Sequence, residues 1–148
     1  MTHIKKRRGK RVLLINRQRK VKFNLKYLED AFDLLEKKIP QSLKKICITL
    51  VSDRTIVSIN KKFLNKNCPT DVISFKLGFF GDVIISAETA RRQSFEVNHS
   101  VEKEILYLSI HGILHLFGFN DDERNYDKMK KKQDSIFKEI AGFLDAKR

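Results

Sequence analysis

Apolar positions along the chain recur with two periods, and the switches between them mark the elements. Val12-Leu13-Leu14-Ile15 reads as a first strand. Asn24 then caps a helix whose Leu25, Leu28, Phe32 and Leu35 repeat at helical spacing, with Pro40 just beyond its end. From Lys45 to Val51 the period falls to two: Ile46, Ile48 and Leu50 share one face, and Cys47, Thr49 and Val51 the other. Asp53 is the expected N-cap of a short helix striped by Ile56, Ile59 and Phe63. A turn over 65–69 leads to a third strand at 70–75. Gly78 and Gly81 bracket a hairpin-like connection into a fourth, Asp82-Val83-Ile84-Ile85.

A helix over 87–95 follows. Ser100 then caps another that carries Glu102 and Glu104 in its first turn, where the helix dipole favours acids, and that stops at Gly118. The last helix is expected to begin near Asp122, its cap, and to pack through Met129, Ile136, Phe137, Ile140 and Phe143. The pattern predicts an α+β fold. About four strands form a mixed sheet covered by helices, and one central helix, about 100–118, is buried. The whole chain, 1–148, reads as a single domain with a basic N-terminal arm over 1–10 and no internal repeat.

Composition narrows the class. At 148 residues and 41% hydrophobic, with six Gly and two Pro, the chain is long enough for one core and excluded from the disordered and collagen-like classes. The most apolar stretch, Ile105 to Phe119, is too short to span a membrane and carries two His. No secretory leader is evident, and two cysteines, Cys47 and Cys68, fit a reducing compartment. The expectation is therefore cytoplasmic, with no membrane. The net charge of +13 points to a polyanionic partner, because neutralising phosphates releases counterions. Lys5, Lys6, Arg7, Arg8, Lys10 and Arg11 form the candidate contact arm. Lys128, Lys130, Lys131 and Lys132 read as a solvated helix face. The eleven Phe fall mostly at helix-stripe positions and are assigned to packing, not base stacking.

The chemistry concentrates on the apolar helix. His111 and His115 are four apart and lie on one face. A single buried His is ordinarily a satisfied core residue, but two at this spacing suit a divalent ion. Behind Gly118 the chain reverses into Asn120-Asp121-Asp122, giving His-x-x-x-His-x-x-Gly-x-x-Asp. We take Asp121 as the third ligand and leave Asp122 to the cap. Three protein ligands with one open position is the catalytic form of a zinc site. Gly112 stands where zinc peptidases of the His-Glu-x-x-His type carry their general base, which argues against a peptidase.

His111-Gly112-Ile113-Leu114-His115-Leu116-Phe117-Gly118-Phe119 resembles the hallmark His-Gly-x-Leu-His-Leu-x-Gly-Tyr of the YbeY endoribonucleases. Pro69-Thr70-Asp71-Val72-Ile73-Ser74-Phe75 with Gly81-Asp82-Val83 is similar to that family's second signature, and Leu64-Asn65 to the end of the helix before it. The resemblance runs from about Ile46 to Gly118. It implies a zincin-like fold with one metal at the end of the buried helix. The implied activity is metal-dependent, single-strand-selective endoribonuclease action in ribosomal RNA maturation and ribosome quality control. RNA is then the expected partner, small-subunit ribosomal RNA and the ribosome in particular, with no DNA.

Two departures bear on the site. The family places a third His where this chain has Asp121. An anionic ligand lowers the charge on the ion and makes its bound water less acidic, so ions harder than zinc are admitted. The family also has an Arg in a longer segment before Pro-Thr-Asp; here Lys66 is left to supply the phosphate contact, without the planar fork. No general base is named: Asp71 is the nearest motif carboxylate, and Thr70, Ser74 and Phe75 are candidates for the cleft wall. The rival reading is a ribosome-assembly RNA-binding factor in which the metal is structural or vestigial. A hydrolase acting on another substrate is a third, since fold does not settle function.

Overall fold

The structure, a computed structural model, describes residues 3–4, 9–64, 70–119 and 125–147. The four expected strands are present as β2 (Val12–Asn16), β3 (Lys45–Val51), β4 (Val72–Leu77) and β5 (Phe80–Ser86). A two-residue strand within the arm, β1 (His3–Ile4), pairs antiparallel with β2 and brings the sheet to five, in the order β1-β2-β3-β5-β4. β2, β3 and β5 run parallel, and β4 returns antiparallel as the far edge.

The alternation of β3 sets the two faces. Ile46, Ile48 and Leu50, with Val83 and Ile85 of β5, enter the large core against α1 (Leu25–Glu36), α4 (Val101–Leu116) and α5 (Tyr126–Ala146). Val51, Ile84 and Ile73 face the other way and meet Ile56 of α2 (Asp53–Leu64) in a small second cluster. α3 (Ala87–Glu96) follows β5 and packs beside α4.

α4 sits against the sheet because two glycines allow it. A Cβ on Gly112 would meet Val83 Cγ1 far inside van der Waals contact and Ser74 Oγ at 2.9 Å. One on Gly81 would meet Leu116 Cδ1 at 2.5 Å. The close approach is what excludes the peptidase glutamate from position 112. The Ser74 hydroxyl then donates to the Gly112 carbonyl at 2.9 Å, tying helix to edge strand.

Local signals that compete within a few residues fell differently from expectation. Ser52, not Asp53, caps α2: its hydroxyl accepts from Thr55 N–H at 3.2 Å and its carbonyl from Ile56 N–H. Asp53 sits at the first helical position and instead accepts from Ser86, Thr89 and Arg92. Burial alone would raise its carboxyl, but these hydrogen bonds outweigh burial and hold it below the ordinary value. α5 has Asn125 at its N-cap position, three residues beyond Asp122, which lies outside the described residues. Met129 and Ile140 are buried as expected, but Phe143 is exposed. Asn24 and Ser100 cap α1 and α4 as read from the sequence.

Candidate metal centre

α4 is apolar nearly all round, so the few polar groups it carries stand out against the core. After His115 the helix ends in a Schellman turn. Gly118, at φ +92°, donates to the His115 carbonyl and Phe119 N–H to that of Leu114, both at 3.1 Å. The chain therefore turns back directly beyond the second histidine.

His111 and His115 are half-buried on the cleft side of α4, their rings edge to face with centroids 4.6 Å apart. Their Nε2 atoms converge to 3.1 Å. Two nitrogens bound to one tetrahedral zinc at about 2.0–2.1 Å would lie about 3.3 Å apart, so the pair is already near the spacing an ion needs.

Gln133 of α5 fixes the tautomer. Its amide nitrogen donates to the Tyr107 carbonyl at 3.1 Å, which turns its Oε1 toward His111 Nδ1, also at 3.1 Å. A carbonyl oxygen only accepts, so Nδ1 carries the proton and Nε2 of neutral His111 presents its lone pair to the converging point. A metal-binding histidine characteristically has such an outer partner. Gln133 was not anticipated, yet a signal existed: it falls in the buried stripe Met129, Gln133, Ile140 of α5, a polar residue where a core side chain belongs.

A cavity of about 220 Å³ opens beside His111, with Asp71, Gln93, Glu104, Tyr107 and Gln133 among its lining residues. Glu104, expected only to serve the helix dipole, is buried and pairs with His99 Nε2 at 2.7 Å. Burial pushes its carboxyl above the ordinary value; the His99 contact opposes this and Asp71 adds to it. Asp71 accepts from Gln93 Nε2 at 3.3 Å. The Tyr107 hydroxyl donates to Asp134 at 2.7 Å. Lys130 also lines this wall and pairs with Asp134 at 3.3 Å, so the carboxyls beyond His111 are each engaged by a neighbour. Ser74 faces α4, whereas Phe75 faces away from it and meets Phe63 edge to face at 5.7 Å.

The structure thus brings His111 and His115 together and sets Asp71 in the adjoining cavity. Asp121 and Lys66 lie outside the described residues, as do Cys68 and the arginines and lysines at 5–8. Among the described residues no group of three His, Cys, Asp or Glu is placed to hold an ion, and no helix is long and apolar enough to cross a membrane. The two imidazoles fit a divalent transition metal through the convergence of their Nε2 atoms and the tautomer that Gln133 sets at His111.

Comparison with known proteins points to one family throughout. The family model described as "Endoribonuclease YbeY" matches residues 13–141. An "Endoribonuclease YbeY" of Syntrophus aciditrophicus is 32% identical, the match covering 89% of this chain and 91% of that protein. One of Aquifex aeolicus is 34% identical over 96% and 94%. The solution structure of TM1509 from Thermotoga maritima superimposes with a TM-score of 0.67 at 27% identity, covering 92% and 93% of the two chains.

Proposed function

Since this chain belongs to the YbeY endoribonuclease family, we propose that it is a metal-dependent endoribonuclease. Its substrate is single-stranded RNA, and its place is in the maturation and quality control of ribosomal RNA, the small-subunit RNA and the ribosome being its partners in the cytoplasm. Zinc is the proposed ion, held by His111, His115 and Asp121, with harder ions admitted by the aspartate.

The single observation that carries the reading is the pair of Nε2 atoms 3.1 Å apart, one of them with its tautomer set by Gln133. A divalent ion bound there supplies Lewis-acid stabilisation of charge developing on phosphate oxygens. The chain's own residues do the rest. Gln133 holds the His111 ring in orientation, and Ser74 clamps α4 to β4 so that the histidines keep their height above the edge strand. In the cavity behind His111, Asp71 and Glu104 are already engaged by Gln93 and His99, and RNA is proposed to approach from the His115 end. There Lys76, exposed on the α4 side of β4 opposite Gly81, meets it, and Lys66 is proposed to add a second phosphate contact.

The test is cleavage of labelled RNA with and without a chelator, for the wild type and His115→Ala. Single strands are expected to be cut, duplexes spared, and cleavage to fall at least 100-fold in the variant while RNA binding persists. RNA binding without cleavage in the wild type would hand the function to the assembly-factor reading. Cleavage unchanged by chelator and by His115→Ala would overturn the metal mechanism.

A further inference from the structure

The far end of β4 carries a feature that the histidine site does not use. Phe63, Leu77, Phe79 and Phe80 are 61%, 82%, 60% and 56% exposed, though phenylalanines were assigned to packing from the sequence. Phe63, Leu77 and Phe80 share the α2 face of the sheet end, and Phe79 adjoins them at the tip of the hairpin. Leu77 and Phe80 are register partners across the β4–β5 hairpin, and Phe79 is in its turn. Phe63 stands on Phe75, two residues from Leu77 on the same face of β4. Single exposed apolar residues need no explanation, but a contiguous patch marks a binding surface.

Its charge identifies the occupant. Lys44 Nζ lies 5.1 Å from the centroid of Phe79, and Lys62 Nζ 5.6 Å from that of Phe63. Lysine is depleted at the centre of protein interfaces. Aromatic rings interleaved with cations are instead what a single nucleic-acid strand requires: flat faces for unpaired bases and ammonium groups for the phosphates between them. The patch begins three strand residues, about 10 Å, beyond Ser74 along β4 and on the opposite face of that edge strand, so a strand of a few nucleotides would reach it from the histidines by rounding the sheet edge.

We propose that this sheet end is a stacking platform for single-stranded RNA, which holds the strand flanking the cleaved bond on Phe63, Phe79 and Phe80, with Lys44 and Lys62 on its phosphates. The proposal rests on the endoribonuclease reading and gives it a physical origin for strand selectivity, because bases paired in a duplex offer no free face.

The experiment measures anisotropy of a short fluorescein-labelled single-stranded RNA, and of the same RNA annealed to its complement. It uses the wild type, a Phe79→Leu/Phe80→Leu variant and a Lys44→Ala/Lys62→Ala variant, each checked for folding by circular dichroism. The leucine variant keeps the apolar surface but removes the rings. It is expected to bind the single strand about 5- to 150-fold more weakly per lost stack. Duplex affinity should be unchanged, and in cleavage the KM should rise with kcat retained. The lysine variant is expected to lower the slope of log affinity against log salt by about 0.7 per phosphate contact. Single-strand binding unchanged by the leucine variant would overturn the proposal while leaving the nuclease reading intact. If the leucine variant instead abolishes self-association seen in wild-type sedimentation and binds RNA normally, the patch is a protein interface and the proposal falls. Absence of RNA binding and cleavage in the wild type would remove both readings together.

Discussion

The two faces of the sheet come from the same strands with the same alternation, yet they are covered very differently. On one side α1, α4 and α5 bury Ile46, Ile48, Leu50, Val83 and Ile85, and hold the histidine pair over the edge strand. On the other, among the described residues α2 alone covers Val51, Ile73 and Ile84, and the sheet end beyond it leaves Phe80 and Leu77 exposed. Alternation decides which face a side chain takes; only the helices decide whether that face is buried. The closed side has the packing needed to hold two imidazoles in position, and the open side leaves apolar side chains exposed.

Substitutions on the two sides should separate by size. Leu106→Ala, in the fully buried row of α4, is expected to cost about 2–5 kcal/mol by chemical denaturation. Gly112→Ala should cost about 1–3 kcal/mol through overpacking against Val83, measured the same way. A value near zero would mean that α4 can lift from the sheet. Gln133→Leu fills its volume but frees the His111 tautomer, and should lower metal affinity about 10- to 100-fold in a chelator competition.

Glu104→Gln addresses pH. Burial raises the Glu104 carboxyl in the folded state. The folded protein therefore holds this proton more tightly than the unfolded chain, and the associated stability is full below the unfolded value and lost as pH rises through the raised one. The glutamine variant should lose that decline in a series of melts across mildly acidic pH. Smallest of all, Phe80→Ala on the open side should change stability by no more than about 0.5 kcal/mol, which would confirm that the ring is not there for packing.

What was legible in the sequence followed from locality. The i, i+4 histidines, the Gly118 stop and the β3 alternation each depend on a few neighbouring residues, and all three stand in the structure. Caps were less determined, because Ser52 and Asp53 are both good cap residues one position apart. The reach of Gln133 to His111 spans 22 residues and two helices, so periodicity marked it only as a misplaced polar residue. The exposure of Phe79 and Phe80 was not readable at all, since nothing local says where α2 ends relative to the sheet.

Metal content of the purified protein by plasma mass spectrometry, beside His115→Ala shown to be folded, bears most directly on the centre. The account predicts about one equivalent of zinc or another divalent transition metal in the wild type and close to none in the variant. A wild type that takes up no ion on titration, or a variant that keeps a full equivalent, would contradict it.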